Sequence, residues 1–287
     1  MNTQLANRLS TISFVGLWGS AAIFSKWGLE HGHAVPLLIF RYAIAIIALI
    51  AFCIYKKQHF FPQHTPWPYV AATGFLLIGC YSLFYFFALQ YSISPGLLAT
   101  ILALQPILTF FITEKQFSKI KLSGLLLSFL GIICLVYTSL FIKQLSFLSI
   151  GFALICLFAI TIGAIMQRKI KENPVQIMPL QYLVALIGFA LVIPLQGFEF
   201  EMNIGFWMPT IWLGLVISVI AQLLFYYLLQ SGNVVNVTSL FYLVPVVTLI
   251  LDYLIFSSTL SGFDYMGICA ILAGVYLVYR PTKSTVN

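Results

Sequence analysis

The chain has 287 residues, of which 61% are apolar and only 7% charged, with a net charge of +7 and a mean hydropathy of +1.03. Soluble chains carry about 25% charged residues, so this composition excludes a soluble enzyme, a disordered protein and a nucleic-acid binder, and makes lipid the solvent of the fold. A membrane-spanning helix takes roughly 20 apolar residues, which leaves room for about ten such helices.

Ten apolar runs follow in chain order: Ser10–Leu29, Ala34–Tyr55, Trp67–Gln90, Pro95–Thr113, Leu122–Phe141, Phe147–Gln167, Val175–Gln196, Phe206–Gln230, Val234–Phe256 and Gly262–Tyr279. Each is continuous rather than alternating, which excludes a β-barrel, and the connections are too short for a separate domain. The predicted fold is an all-α integral membrane protein of ten transmembrane helices. The first run follows Arg8 and has no Ala-x-Ala cleavage site, so it reads as a retained span rather than a signal peptide. Cys53, Cys80, Cys134, Cys156 and Cys269 all lie in apolar runs, where free thiols pack as small hydrophobes. His31-Gly32-His33 reads as a solvated loop rather than a metal site, and no metal or cofactor is expected.

The loop charges give an orientation. With the N-terminus inside, the cytoplasmic segments hold eleven basic residues: Arg8, Lys56, Lys57, Lys115, Lys119, Lys121, Arg168, Lys169, Lys171, Arg280 and Lys283. The opposite loops hold only Lys143, with Glu199 and Glu201 between the seventh and eighth spans. Basic residues collect on the cytoplasmic side, so both termini are placed inside. The expected setting is a multi-pass cell membrane, most simply the inner membrane of a bacterium.

The two halves resemble each other. At an offset of 140 residues Arg41-Tyr42 meets Gln181-Tyr182, Gly74 meets Gly214, and Tyr85-Phe86-Phe87-Ala88-Leu89-Gln90 meets Phe225-Tyr226-Tyr227-Leu228-Leu229-Gln230. Leu104-Gln105-Pro106 resembles Leu243-Val244-Pro245, and Gly124 with Gly131 has the spacing of Gly267 with Gly274. Residues 1–143 and 144–287 thus form two five-helix repeats. Five is odd, so the second copy is inverted, a construction used by secondary transporters with the substrate at the repeat interface. Pro106 and Pro245 lie inside helices four and nine, where each removes a backbone hydrogen bond and favours a kink.

Three ionisable residues fall within the spans: Lys26, Arg41 and Asp252. Each would cost roughly 2.5–3.5 kcal/mol if isolated in hydrocarbon, and all three fall in the outer half of the bilayer, as an outer gate, a substrate-charge site, a static pair or side chains snorkelling to the outer headgroups. A carboxylate at position 252 facing a wet cavity would also bind a proton and allow proton coupling. Trp18, Tyr81, Ser82, Tyr85, Gln105, Gln222 and Tyr242 form a candidate aromatic cavity with a few hydroxyl and amide groups. Such a wall suits a small amphipathic solute, amino acids or drug-like amines above all.

The whole motif set resembles the drug/metabolite transporter superfamily in its ten-helix EamA-type branch. The residues that carry the likeness are Leu17-Trp18-Gly19-Ser20, Pro36 with Arg41, Tyr85 to Ser92, Ala103-Leu104-Gln105-Pro106, Glu114 to Gly131, Tyr242-Leu243-Val244-Pro245, and Gly267 to Gly274. The stretch from Pro106 to Glu114 is about one helical turn short of the family pattern, and the second repeat has Ser258 near the place of that glutamate. The resemblance implies a secondary carrier, not an enzyme, commonly an exporter of amino acids, metabolites or toxic compounds, with a cavity lined mainly by helices 1, 3, 4, 6, 8 and 9. Two other readings stay open: a carrier of anionic, phosphate-bearing metabolites held by Lys26 and Arg41, and an intramembrane lipid-modifying enzyme. The partners implied are a small solute and the lipid bilayer, with monomer and homodimer both open.

Overall fold

The computed structural model describes residues 3–91, 93–140, 147–256 and 261–280, with side chains over 8–91, 93–94, 96–137, 147–251 and 261–280. The described residues fold into helices joined by short connections: α1 (Thr3–Glu30), α2 (Ala34–Tyr55), α3 (Trp67–Gln90), α4a (Pro95–Leu102), α4b (Gln105–Thr113), α5 (Lys119–Leu140), α6 (Phe147–Lys169), α7 (Pro174–Gln196), α8 (Ile204–Ser231), α9a (Val234–Ser239), α9b (Leu243–Phe256) and α10 (Gly262–Tyr279). In hydrocarbon every backbone N–H and C=O must be satisfied within the segment, and uninterrupted apolar runs therefore resolve into helices. With the paired half-helices counted together, nine of them among the described residues are long and apolar enough to cross a membrane. The remaining helix, α1, has 28 residues, length enough for a crossing, but Arg8, Lys26 and Glu30 make it more polar.

The expected breaks near Pro106 and Pro245 take different forms. The fourth helix divides after Leu102 and restarts at Gln105, with Pro106 in its first turn. The ninth tightens into a 3-10 turn over Leu240–Tyr242 just before Pro245. Each proline lacks the N–H that would bond the carbonyl four residues earlier, freeing Leu102 and Phe241. The fourth helix stops at Thr113, and Glu114 is already extended. Two further irregularities were not foreseen: π-helical segments at Phe75–Cys80 in α3 and Trp212–Ala221 in α8. They overlap at the same 140-residue offset as the sequence matches. An inserted turn of this kind is frequent at functional sites.

Glycines set the closest approaches. A Cβ at Gly124 would lie 2.6 Å from the Gly274 carbonyl oxygen, and one at Gly131 2.8 Å from that of Gly267, so α5 and α10 pack backbone to backbone. As one glycine number rises the other falls, which makes the two helices antiparallel. A second set of contacts crosses between the halves. Gly74 of α3 lies against Gln181 of α7, and Gly214 of α8 lies against Arg41 and Ile44 of α2. Between these two junctions the Tyr42 and Tyr182 rings pack at 5.1 Å, each touching its counterpart at the 140-residue offset.

The connections sort into two ends. At one end His31 bonds Glu201 at 2.6 Å, Gly32 pairs with Phe200, and Gln196 donates to the Tyr91 hydroxyl at 3.2 Å. At the other, Glu172 accepts the backbone amides of Gln63 (2.7 Å) and Thr65 (2.6 Å), and Arg168 Nε donates to the Gly232 carbonyl at 3.0 Å. Lys56, Lys57, Lys115, Lys119, Lys121 and Lys169 belong to this second end.

Candidate functional site

A cavity of about 440 Å³ opens between α1, α3, α4a, α5 and α9b. Its residues come from the second half of α1, the last turns of α3 and the first half-helix of the fourth span. It therefore occupies the part of the bundle nearer the 31–33 and 91–94 connections. Small side chains in these stretches, among them Ala21, Ala22, Gly96 and Ala99, leave the space between the helices unfilled.

The floor is aromatic. Trp18 and Phe241 line the cavity and pack edge to face at 5.4 Å, and beneath them Phe14 stacks on Phe225 at 5.5 Å. Below the floor the bundle is latched by polar contacts. Glu114 accepts from Lys121 Nζ and from Asn233 Nδ2, both at 2.9 Å. Gln230 Nε2 reaches the carbonyls of Ile170 (3.1 Å) and Glu172 (2.7 Å). Burial of Glu172 works to raise its carboxyl, but the amides of Gln63, Thr65 and His64 bond the charged form and together hold it below the usual carboxylate range.

Arg41 is the charged residue among the described lining. Its Nε donates to Ser218 Oγ at 2.8 Å, its guanidinium carbon lies 4.9 Å from the Tyr42 ring centre, and its side chain is partly open to the cavity. No carboxylate lies within ion-pair distance of it among the described residues. Tyr81 and Tyr85, with ring centres 5.9 Å apart, stand on the same wall. Ser82 is held by the Tyr42 hydroxyl at 2.7 Å. Gln105 is 2% exposed, and its Nε2, buried at the cavity, has no hydrogen-bond partner among the described residues.

Of the cavity residues predicted from sequence, Trp18, Tyr81, Ser82, Tyr85 and Gln105 meet here, together with Arg41 and Pro245. Gln222 and Tyr242 are buried away from the lining, and Pro106 lies beneath it in the first turn of α4b. Lys26 is exposed and forms no ion pair among the described residues. The cavity-facing stripe of α1 runs Trp18, Ala21, Ala22, Ser25, and Lys26, one step beyond Ser25, points about 100° away. The side chain of Asp252 lies outside the described residues, although Thr248 and Leu249, one turn before it, line the cavity.

Helices 6 and 8 contribute only Ile160 and Ile217, less than the family resemblance implied. Their polar residues face other helices: Gln167 bonds Gln181 at 2.8 Å, and Ser218 bonds Arg41 and accepts from Tyr182 through its carbonyl. Sequence reasoning missed Ser25, Phe241, Thr248 and the α5 residues Ile132 and Val136. Phe241 could have been found as the residue four before Pro245; the α5 pair carries no signal beyond apolarity.

The chain as a whole has counterparts among known proteins. Residues 9–137 and 147–280 each match the EamA-like transporter family. The chain belongs to that family. It is a multi-pass membrane transporter, within the drug/metabolite transporter superfamily. A "Probable amino-acid metabolite efflux pump" of Salmonella typhimurium is 25% identical over 285 residues, covering 92% of this chain and 91% of its own length. A WAT1-related chloroplastic protein of Arabidopsis thaliana is 23% identical over 280 residues, covering 92% of this chain and 67% of its own. An uncharacterized transporter of Archaeoglobus fulgidus is 23% identical over 274 residues, covering 91% and 93%. A crystal structure superposes with a TM-score of 0.80 over 96% of this chain and 97% of its own, at 17% identity, which establishes a shared fold.

Proposed function

We propose that this EamA-family transporter exports small amphipathic metabolites, amino acids among them, by alternating access around the cavity between α1, α3, α4a and α9b. The observation that carries the reading is the cavity itself: about 440 Å³, aromatic at its floor, with Arg41 in its wall. Ligand pockets of this size with a few convergent polar groups take one small molecule. The two halves act as five-helix repeats, residues 1–143 and 144–287, inverted relative to each other with both termini in the cytoplasm. The antiparallel α5–α10 contact and the crossed Gly74–Gln181 and Gly214–Arg41 contacts support this. In that orientation the aromatic floor and the Glu114–Lys121–Asn233 latch close the cytoplasmic side, and the cavity faces outward. Export as the direction draws on the likeness to the Salmonella efflux pump.

The reading of a phosphate carrier needs Lys26 beside Arg41, and Lys26 is exposed outside the lining. Proton coupling through Asp252 is the further part of the proposal. The test is flux of labelled amino acids in proteoliposomes with and without an imposed pH gradient. Flux that saturates and rises with the gradient is expected; no saturable flux of any small solute would remove the carrier reading, and a rate indifferent to the gradient would remove the coupling.

A further inference from the structure

We infer that the solute must present a free carboxylate, held by Arg41, and that a solute whose only charge is an amine is rejected. This deepens the carrier reading and rests on it. An arginine stays protonated at any physiological pH. At this site Nε is occupied by Ser218 and the guanidinium carbon sits over Tyr42, so the side chain is fixed from behind. The Nη groups have no hydrogen-bond acceptor among the described residues, and no described carboxylate balances the charge.

Water can solvate this cation while the cavity is empty. A solute that displaces the water must replace that solvation, because an uncompensated charge in a low-dielectric pocket is costly. A carboxylate does so with the planar, two-pronged geometry a guanidinium favours. An ammonium group would bring a second positive charge beside Arg41. The second observation is Gln105 Nε2, a buried donor at the same cavity with no partner. An orphaned donor calls for an acceptor, and a carboxylate keeps free lone pairs on its oxygens after binding arginine.

The remaining wall, with Trp18, Tyr85, Phe86 and Phe241, is built for the apolar end of the same molecule. Arg41 is the sole basic side chain among the described lining residues, which fits a single negative charge rather than a phosphate dianion.

The experiment uses the full chain purified in detergent and three isosteric probes: 3-phenylpropionate, 3-phenylpropionamide and 3-phenylpropylamine. Binding is read as the shift in unfolding temperature with ligand concentration. The carboxylate is expected to bind at least about tenfold more tightly than the amide, the amine to produce no shift, and Arg41→Gln to bring carboxylate and amide within about twofold of each other. An amine shift equal to or above that of the carboxylate overturns the inference, as does an Arg41→Gln protein that keeps the carboxylate preference. So does the absence of binding by all three probes, and in that case saturable flux of another solute in proteoliposomes would leave the carrier reading standing. If Arg41→Gln fails to fold, Arg41→Lys decides: charge without the fork should weaken the carboxylate by about tenfold and leave the amide unchanged. Equal weakening of both, or of neither, overturns the inference.

Discussion

Two junctions of this molecule use the same parts for opposite ends. At one, Gly74 of α3 packs on Gln181 of α7; at the other, Gly214 of α8 packs on Arg41 of α2. The Gln181 side chain is fully buried, donating to Gln167 and accepting from the Tyr226 hydroxyl at 2.7 Å, so its hydrogen bonds stay within the bundle. Arg41, packed over Tyr42, commits only Nε to a hydrogen bond among the described residues, and its side chain lines the cavity. One junction is a strut. The other keeps donors in reserve, and a charged group with spare donors beside a cavity is where a solute can be recognised. Equivalent backbone placement therefore does not make the two sites functionally equivalent: the residue at the crossing decides.

The strongest way to break this comparison is to push the helices apart. Gly74→Val places carbon within 2.5 Å of the Gln181 Cα, a backbone atom that cannot yield. Overpacking costs about 1–3 kcal/mol and sometimes more, so a large drop in unfolding temperature, or loss of folded protein, is expected in detergent. Gly214→Val, whose Cβ would meet the Arg41 carbonyl at 2.9 Å and Ile44 at 3.1 Å, should cost less stability and more transport, because it displaces the backbone that carries Arg41.

Next in size is the exchange of the two polar residues. Gln181→Leu strands Gln167 and the Tyr226 hydroxyl, and buried groups left unsatisfied cost about 1–3 kcal/mol, so thermal stability should fall while solute affinity in the surviving folded protein stays close to normal. Arg41→Gln should do the reverse, with little change in unfolding temperature and a loss of transport of about ten- to a hundredfold, the equivalent of one charge-assisted bond. Equal effects of the two on both readouts would dissolve the distinction between strut and site.

Gln105→Leu sharpens the comparison further. It removes a buried amide whose Nε2 lacks a partner, so unfolding temperature is expected to hold or rise slightly while solute affinity drops by about three- to tenfold. The smallest expected effect concerns the latched end. Glu172 has its carboxyl held below the usual range, so it favours the folded state fully at neutral pH. That contribution begins to fade as pH drops below about 4.5, the ordinary value, and is gone below the lowered folded one. In acid titrations of unfolding temperature, Glu172→Gln should flatten this part of the curve and leave the neutral region nearly parallel.

Much of the architecture was legible before any coordinates. Spans such as Ala34–Tyr55 and Gly262–Tyr279 coincide with the helices observed, because a lipid-facing backbone has no alternative to helix and the apolar run sets its length. The glycine pairs on α5 and α10 were visible as spacing, and the aromatic wall as Trp18, Tyr81 and Tyr85. The π segments were not legible, since a shift of the backbone hydrogen bonds by one residue leaves no mark in hydropathy or composition. Nor was the split between Arg41 and Lys26, which look alike as intramembrane cations. Fifteen residues apart, one faces the cavity and the other the exterior.

The sequence alone determined the number and extent of the apolar runs and the charge asymmetry of their connections, because length, hydropathy and charge act locally and need no partner. Only the tertiary structure decided which polar side chains share a space. That depends on helix rotation, which is fixed where small residues such as Gly74, Gly214 and Gly124 allow backbones to approach. A rotation of about 100° separates Ser25, at the cavity, from Lys26, outside it.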